Sequence, residues 1–111
     1  MALDIISVED ALVVQVPVRF DAGNAPDIEK DLRLMLTTRP KKIIVDFSKT
    51  EYIASAGLRV LLSITRDTLK AGGKIALAGL KPAVLKVFEM AGFTSIFTIC
   101  GSQDDALRKL A

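Results

Sequence analysis

Apolar residues recur along this chain in two alternating rhythms, short continuous runs and stripes at helical spacing. Residues 3–8 and 12–18 read as two strands separated by Glu9-Asp10-Ala11. The second run, LVVQVPV, is apolar nearly throughout, as in a strand covered on both faces. Pro17 lacks a ladder N–H and belongs near the end of that strand or at a bulge. Residues 19–24 then form a loop. Asn24 is placed to cap a helix, with Pro26 in the first turn and Asp27 suited to the positive end of the helix dipole. Ile28, Leu32, Met35 and Leu36 carry that helix to about Thr38, where Arg39-Pro40 stops it.

The central passage, residues 41–69, begins as the strand IIVDF, turns through Ser48-Lys49-Thr50-Glu51 and passes Tyr52-Ile53. A helix then opens at Ala54-Ser55-Ala56-Gly57. Leu58, Leu61, Leu62, Thr65 and Leu69 form its inward stripe, and Arg59, Arg66, Asp67 and Lys70 face water. Gly72-Gly73 ends it. Residues 74–79 are the next strand. Pro82 opens a third helix with Val84, Leu85, Phe88 and Met90 apolar, and Gly92 closes it beside Phe93. Residues 96–100 form a last short strand, and Ser102 caps a C-terminal helix carrying Ala106, Leu107 and Leu110, with Asp105 at the capping-box position.

The order β-β-α-β-α-β-α-β-α implies right-handed crossovers and a mostly parallel sheet. The extra N-terminal strand makes that sheet mixed. The expected class is α/β, bordering on α+β, with about five strands and four helices in a single domain over residues 1–111.

Composition changes this picture in a few places. Aromatics are 5% and Trp is absent, so the core is aliphatic. A net charge of +2 with mixed signs offers no basic stripe for nucleic acid. The lone Cys100 excludes an internal disulfide and reads as a small buried hydrophobe; the absence of His removes the usual zinc sets. The N-terminus lacks the basic and apolar regions of a signal peptide, and no apolar run approaches the ~20 residues of a membrane span. A cytoplasmic protein without cofactor or metal is expected.

Catalytic constellations are not found. No His is present to activate a serine, and neither Ser55 nor Ser63 is followed three residues on by Lys. Gly72-Gly73-Lys74 lies between a helix and a strand, the reverse of a phosphate loop, and reads as a helix stop. Asp21, Asp46 and Glu51 have no recognisable metal-ligand spacing. Ser48 and Thr50 read as turn residues, Met35 and Met90 as core residues of their helices, and Tyr52 as either a partner contact or a cover for the sheet end. Ser55 stands at a helix start beyond a strand's carboxyl end, where ligands of open α/β sheets gather. By position it is a plain helix cap or an accessible hydroxyl beside a positive helix end that tolerates a phosphate.

The run IIVDFSKTEYIASAGLRVLL resembles the signature of STAS domains, the small cytoplasmic modules of bacterial anti-sigma factor antagonists. RFDAGNAPDIEKDL resembles that family's loop and first helix, and GFTSIFTICGSQDDAL its closing helix–strand–helix passage. The resemblance spans essentially the whole chain. It implies a protein switch whose unphosphorylated form binds an anti-sigma factor, often a GHKL-type serine kinase, and releases its target. Phosphorylation of Ser55 ends the complex and a PPM-type phosphatase restores it. It also implies a partner-binding surface of Asp21, Asn24, Ala54, Ser55, Ala56, Gly57 and Arg59 on a monomer or weak dimer. Ala54 stands where the family carries Asp, Ala56 where it carries a second Ser, and Pro17-Val18 where it often has Gly. The first of these leaves room for a second expectation, an unswitched STAS subunit bracing the ATPase of a lipid-transport ABC complex.

Overall fold

The computed structural model describes residues 3–111. Seven strands and four helices follow in the order β1 (Asp4–Val8), β2 (Ala11–Gln15), β3 (Arg19–Phe20), α1 (Ala25–Leu36), β4 (Lys42–Asp46), β5 (Tyr52–Ile53), α2 (Ser55–Lys70), β6 (Lys74–Ala78), α3 (Pro82–Met90), β7 (Ile99–Cys100) and α4 (Gln103–Leu110). Five of the strands form a mixed sheet of order β1-β2-β4-β6-β7, antiparallel only between β1 and β2. This is the expected α/β architecture. A second pair, β3 and β5, lies outside that sheet and was not foreseen.

Alternation along the strands sorts the core onto two faces. Ile43, Val45, Ile75 and Leu77 pack with α1, α2 and α3 around Phe20, Phe47 and Phe88. Ile44, Ala76 and Ala78 point the other way, where Ala106 and Leu110 of α4 cover them. The alanines let one short helix approach the sheet closely. Phe88 meets Phe47 and Phe97 edge-on, with ring centres 6.1 and 5.5 Å apart, the preferred aromatic arrangement.

Several boundaries and burials differ from expectation for local reasons. β2 stops at Gln15, ahead of Pro17, and residues 19–20 leave to pair elsewhere. α1 ends at Leu36 because Thr37 and Thr38 turn their hydroxyls back to donate to Leu34 O and Met35 O (2.6 and 2.7 Å). Residues 94–96 form a turn, so β7 keeps only Ile99–Cys100. Cys100 is half-buried, and burial pushes its thiol above the ordinary value. Leu69 is 57% exposed and Met90 80% exposed, so neither is core. In α2 the inward place falls to Thr68, whose hydroxyl donates to Ile64 O (2.7 Å) and is buried without an orphaned oxygen. In α3 Val84 and Phe88 point inward, which leaves Met90 about 200° around the helix from Phe88. Ser102 caps α4 as expected, its Oγ accepting from Asp105 N–H at 3.1 Å, while the Asp105 carboxylate takes Arg108 as its partner.

Thr65 is buried in α2 with a hydroxyl that has no hydrogen-bond partner among the described residues. Replacing an unsatisfied buried hydroxyl by a methyl removes a desolvation cost. Thr65→Val is therefore expected to raise the stability measured by urea denaturation by about 1 kcal/mol. A loss of stability would mean that the hydroxyl does have a partner.

Candidate functional site

The unforeseen β3–β5 pair builds this region. The chain at residues 16–20 runs alongside residues 50–54 and is joined to it at every step. Thr50, fully buried, donates its hydroxyl to Val16 O and Pro17 O (3.2 and 2.9 Å). The N–H groups of Glu51 and Tyr52 donate to Val18 O (2.8 and 3.2 Å). Arg19 and Phe20 lie opposite Tyr52 and Ile53, and Ala54 N–H donates to Phe20 O at 2.9 Å. Asp21 and Ser55 are the next residues on the two segments. The pairing thus delivers the Asp21 loop and the start of α2 to the same rim.

Gly57 permits the close approach. A Cβ there would lie 3.0 Å from Phe20 O, 3.0 Å from the Phe20 ring and 3.0 Å from Ile53 Cγ1. Gly57 is buried, so its part in the expected surface is packing, not contact with a partner. Its N–H and that of Leu58 both bond to Ala54 O, at 2.9 and 3.1 Å.

The Asp21 loop is closed by its own polar groups. Asp21 N–H donates to Asn24 Oδ1 (2.9 Å), while Asp21 Oδ1 accepts from the N–H groups of Gly23 (2.9 Å) and Asn24 (3.3 Å). Asn24 Nδ2 donates to Arg19 O (2.7 Å). Asn24 does precede α1, but its side chain reaches back into the loop and makes no capping bond to the helix. Arg19 joins the loop to β5: its Nε lies 3.2 Å from Asp21 Oδ2, and its guanidinium sits 4.5 Å from the centre of the Tyr52 ring. The Arg19 hydrogen bond, helped by the Gly23 and Asn24 amides, holds the Asp21 carboxyl below its ordinary value.

Ser55 is the first residue of α2, not its cap. The cap position belongs to Ala54, extended at φ −102° and ψ 171°, which has no side-chain oxygen to offer. The Ser55 hydroxyl is exposed and makes no hydrogen bond to the described residues. No acidic residue lies in the first turn of α2, unlike α1 with Asp27 and α4 with Asp104 and Asp105. The positive end of this helix therefore meets an accessible hydroxyl and no carboxylate within its own first turn. One turn along, Ala56 and exposed Arg59 line a shallow groove of about 320 Å³ shared with Ala22, Pro26 and Glu29 of the α1 side.

The structure thus gathers Asp21, Asn24, Ala54, Ser55, Ala56 and Arg59 at one end of the fold. Arg19 and Glu29 belong to the same surface and were missed, and Tyr52, left open between a partner contact and a cover for the sheet end, lies exposed beside them. The signal for Arg19 and Tyr52 was a pair of two-residue steps, Arg19-Phe20 and Tyr52-Ile53, each with one apolar residue, too short for a periodicity to register. No cluster of carboxylates able to hold a metal occurs among the described residues. Asp46 instead accepts from Ser48 N–H at 2.8 Å, closing the turn after β4.

Residues 2–106 match the STAS domain family. The chain is 31% identical over 106 residues to BtrV of Bordetella bronchiseptica, named as a candidate anti-sigma factor antagonist; the match covers 96% of this chain and 91% of that protein. Its fold is similar to that of a candidate anti-sigma factor antagonist from Thermotoga maritima, with a TM-score of 0.90 at 23% identity over 97% of this chain and 93% of that one. It is also similar to the Bacillus cell fate determinant SpoIIAA in its phosphorylated form, with a TM-score of 0.74 at 17% identity over 99% and 100% of the two chains.

Two outcomes are expected of this geometry. Gly→Ala inside a helix ordinarily stabilises, but Gly57→Ala should destabilise by roughly 1–3 kcal/mol in urea denaturation, because Phe20 and Ile53 must give way. A stabilised variant would show that the approach is not tight. In NMR titration the Asp21 carboxyl should have its midpoint below 3.8. A depressed carboxyl orders its loop above the unfolded value and loses that order as pH falls through the folded one. The Gly23 and Asn24 amide shifts should follow the same midpoint, and Arg19→Ala should move it upward.

Proposed function

The chain belongs to the STAS domain family, and from that membership we propose that it is an anti-sigma factor antagonist of a partner-switching pathway. It is a binding module of the cytoplasm and needs no cofactor. In its unphosphorylated form it docks on an anti-sigma factor of the GHKL serine-kinase type through the Asp21 loop, Asn24, the groove beside Ala56, and Arg59. The sigma factor is thereby released. The kinase then transfers a phosphoryl group to Ser55 Oγ, and a PPM-type phosphatase removes it.

The observation that carries this reading is the state of Ser55: exposed, unbonded, and at a helix N-terminus with no acidic residue in its first turn. A phosphate there adds about −1.5 to −2 of charge. The helix end tolerates it, so the fold is retained. A docked partner meets that charge on a rim that already presents Asp21 and Glu29, and the complex loses its complementarity. The name of BtrV supports the antagonist reading over that of a transporter subunit.

Incubation with the cognate kinase and ATP should add a single phosphate by intact-mass analysis, absent in Ser55→Ala. Ser55→Asp should retain the fold by circular dichroism and weaken kinase binding at least ~10-fold in calorimetry, about 1.4 kcal/mol. A phosphate that survives Ser55→Ala would end this reading. So would recovery of an ABC ATPase in place of a kinase from native lysate.

A further inference from the structure

At the far end of α2, about 24 Å along the helix from Ser55, a half-open cleft of about 640 Å³ lies between the ends of α1 and α2 and the starts of β4 and β6. Arg33, Arg39, Lys41, Lys42 and Lys74 line it against a single carboxylate, Asp67. One third of the chain's 15 basic residues thus border one cavity in a protein whose net charge is only +2, although Lys42 and Lys74 share the strand faces that α4 covers.

Cations beside helix C-termini ordinarily serve the free carbonyls there. Here those carbonyls are already occupied. Leu34 O, Met35 O and Leu36 O accept from the N–H groups of Thr37, Thr38 and Arg39, and the two threonine hydroxyls add to the first two. Asp67 O, Thr68 O and Leu69 O accept from Ala71, Gly73 and Gly72 N–H. The ammonium and guanidinium groups are not needed as caps. Two of them are engaged with carboxylates, Arg33 with Asp67 and Lys42 with Asp10. Arg39 and Lys41 have no ion pair among the described residues, whereas Lys74 reaches α4, its Nζ 3.5 Å from Leu110 O.

Arg39 carries the second observation. It holds a left-handed backbone, φ 52°, where the ends of α2 and α3 use Gly72 (φ 84°) and Gly92 (φ 75°). A glycine takes this conformation without strain, so α1 ends on a strained residue whose charge is set at the mouth of the cleft. Leu36, Pro40 and Ala71 give the same cavity apolar wall. Its volume falls within the range of small-molecule sites.

We propose that this cleft binds a small amphiphilic anion, an apolar body carrying a carboxylate, sulfonate or phosphate, with Arg39 and Lys41 as the anion's partners. The site is independent of Ser55.

The probe is 8-anilinonaphthalene-1-sulfonate, followed by its fluorescence, with decanoate and decanol as competitors. Saturable one-to-one binding is expected, with amide shifts at Ala71, Gly72 and Gly73 in NMR. Decanoate should displace the probe and decanol should not. Lys41→Glu should weaken binding at least ~10-fold, and raised salt should weaken it in the wild type. Arg39→Gly should weaken binding at least ~5-fold while leaving the denaturation midpoint unchanged or higher, since it relieves the strained backbone as it removes the charge. Ser55→Asp should leave probe affinity unaltered. The proposal is overturned if no saturable binding occurs, if neither Arg39→Gly nor Lys41→Glu changes it, or if decanol competes as well as decanoate.

Discussion

The hydrogen bond from Ala54 N–H to Phe20 O, with Gly57 packed against the same carbonyl, is the constraint on which the site depends. It ties two segments more than thirty residues apart in sequence at the point where each leaves the core. Buried Thr50 continues the attachment inward, and Phe20 and Ile53 anchor it in the main cluster. A loop held only by its own turn would be free to swing relative to α2. This one cannot move without breaking a backbone ladder and a close contact together. Rigid framing of a polar rim is what a recognition surface requires, since ordering it at the moment of binding costs affinity.

Charge is arranged with the same economy along α2. At its N-terminus the partial positive charge of the helix meets no acidic residue; at its C-terminus the carbonyls are capped by backbone groups, and basic side chains crowd beyond them. The two ends are thus chemically distinct. The first presents a hydroxyl and a preordered carboxylate, Asp21, whose ionised state Arg19 favours. The second presents Arg39 and Lys41, cations without an ion pair among the described residues, beside apolar wall. Arg33 and Asp67 pair across α1 and α2 at this second end and fasten the two helices to each other there.

The sheet and its covering helices were legible because each rests on a run long enough to show a period. Ile43-Ile44-Val45 and the 3.6-residue spacing in α2 needed no tertiary information to be read. The β3–β5 pair was not legible, since two residues cannot display a period and their pairing is decided by Pro17 ending β2 and by the Phe20 side chain seeking the core. Leu69 was misplaced because the helical period does not say which residue of the last turn still meets the core, and Met90 because it lies on the far side of α3 from Val84 and Phe88. At the site, the position of Ser55 could be found from the sequence, but its role as first helical residue instead of cap could not, because that depends on the extended backbone at Ala54.

That last distinction bears on how such a site works. An Asp, Ser or Asn at the cap would bond the first N–H groups of α2 and contribute about 1 kcal/mol. Alanine forgoes that contribution, and the helix is held by its buried stripe, Leu58, Leu61 and Ile64 among others. The consequence is local. The first turn has no side-chain acceptor of its own, and the hydroxyl of Ser55 is not drawn into capping. On the proposed reading, phosphorylation would supply the missing acceptor, placing oxygens beside free N–H groups at the positive end of the helix. Ala54, which removes a carboxylate from beside the target, thereby leaves the phosphate as the sole anion within the first turn of that helix. On that reading, a charge added there has no acidic neighbour in the first turn of α2 to repel it, and its effect would fall on the partner proposed to dock over Asp21 and Arg59.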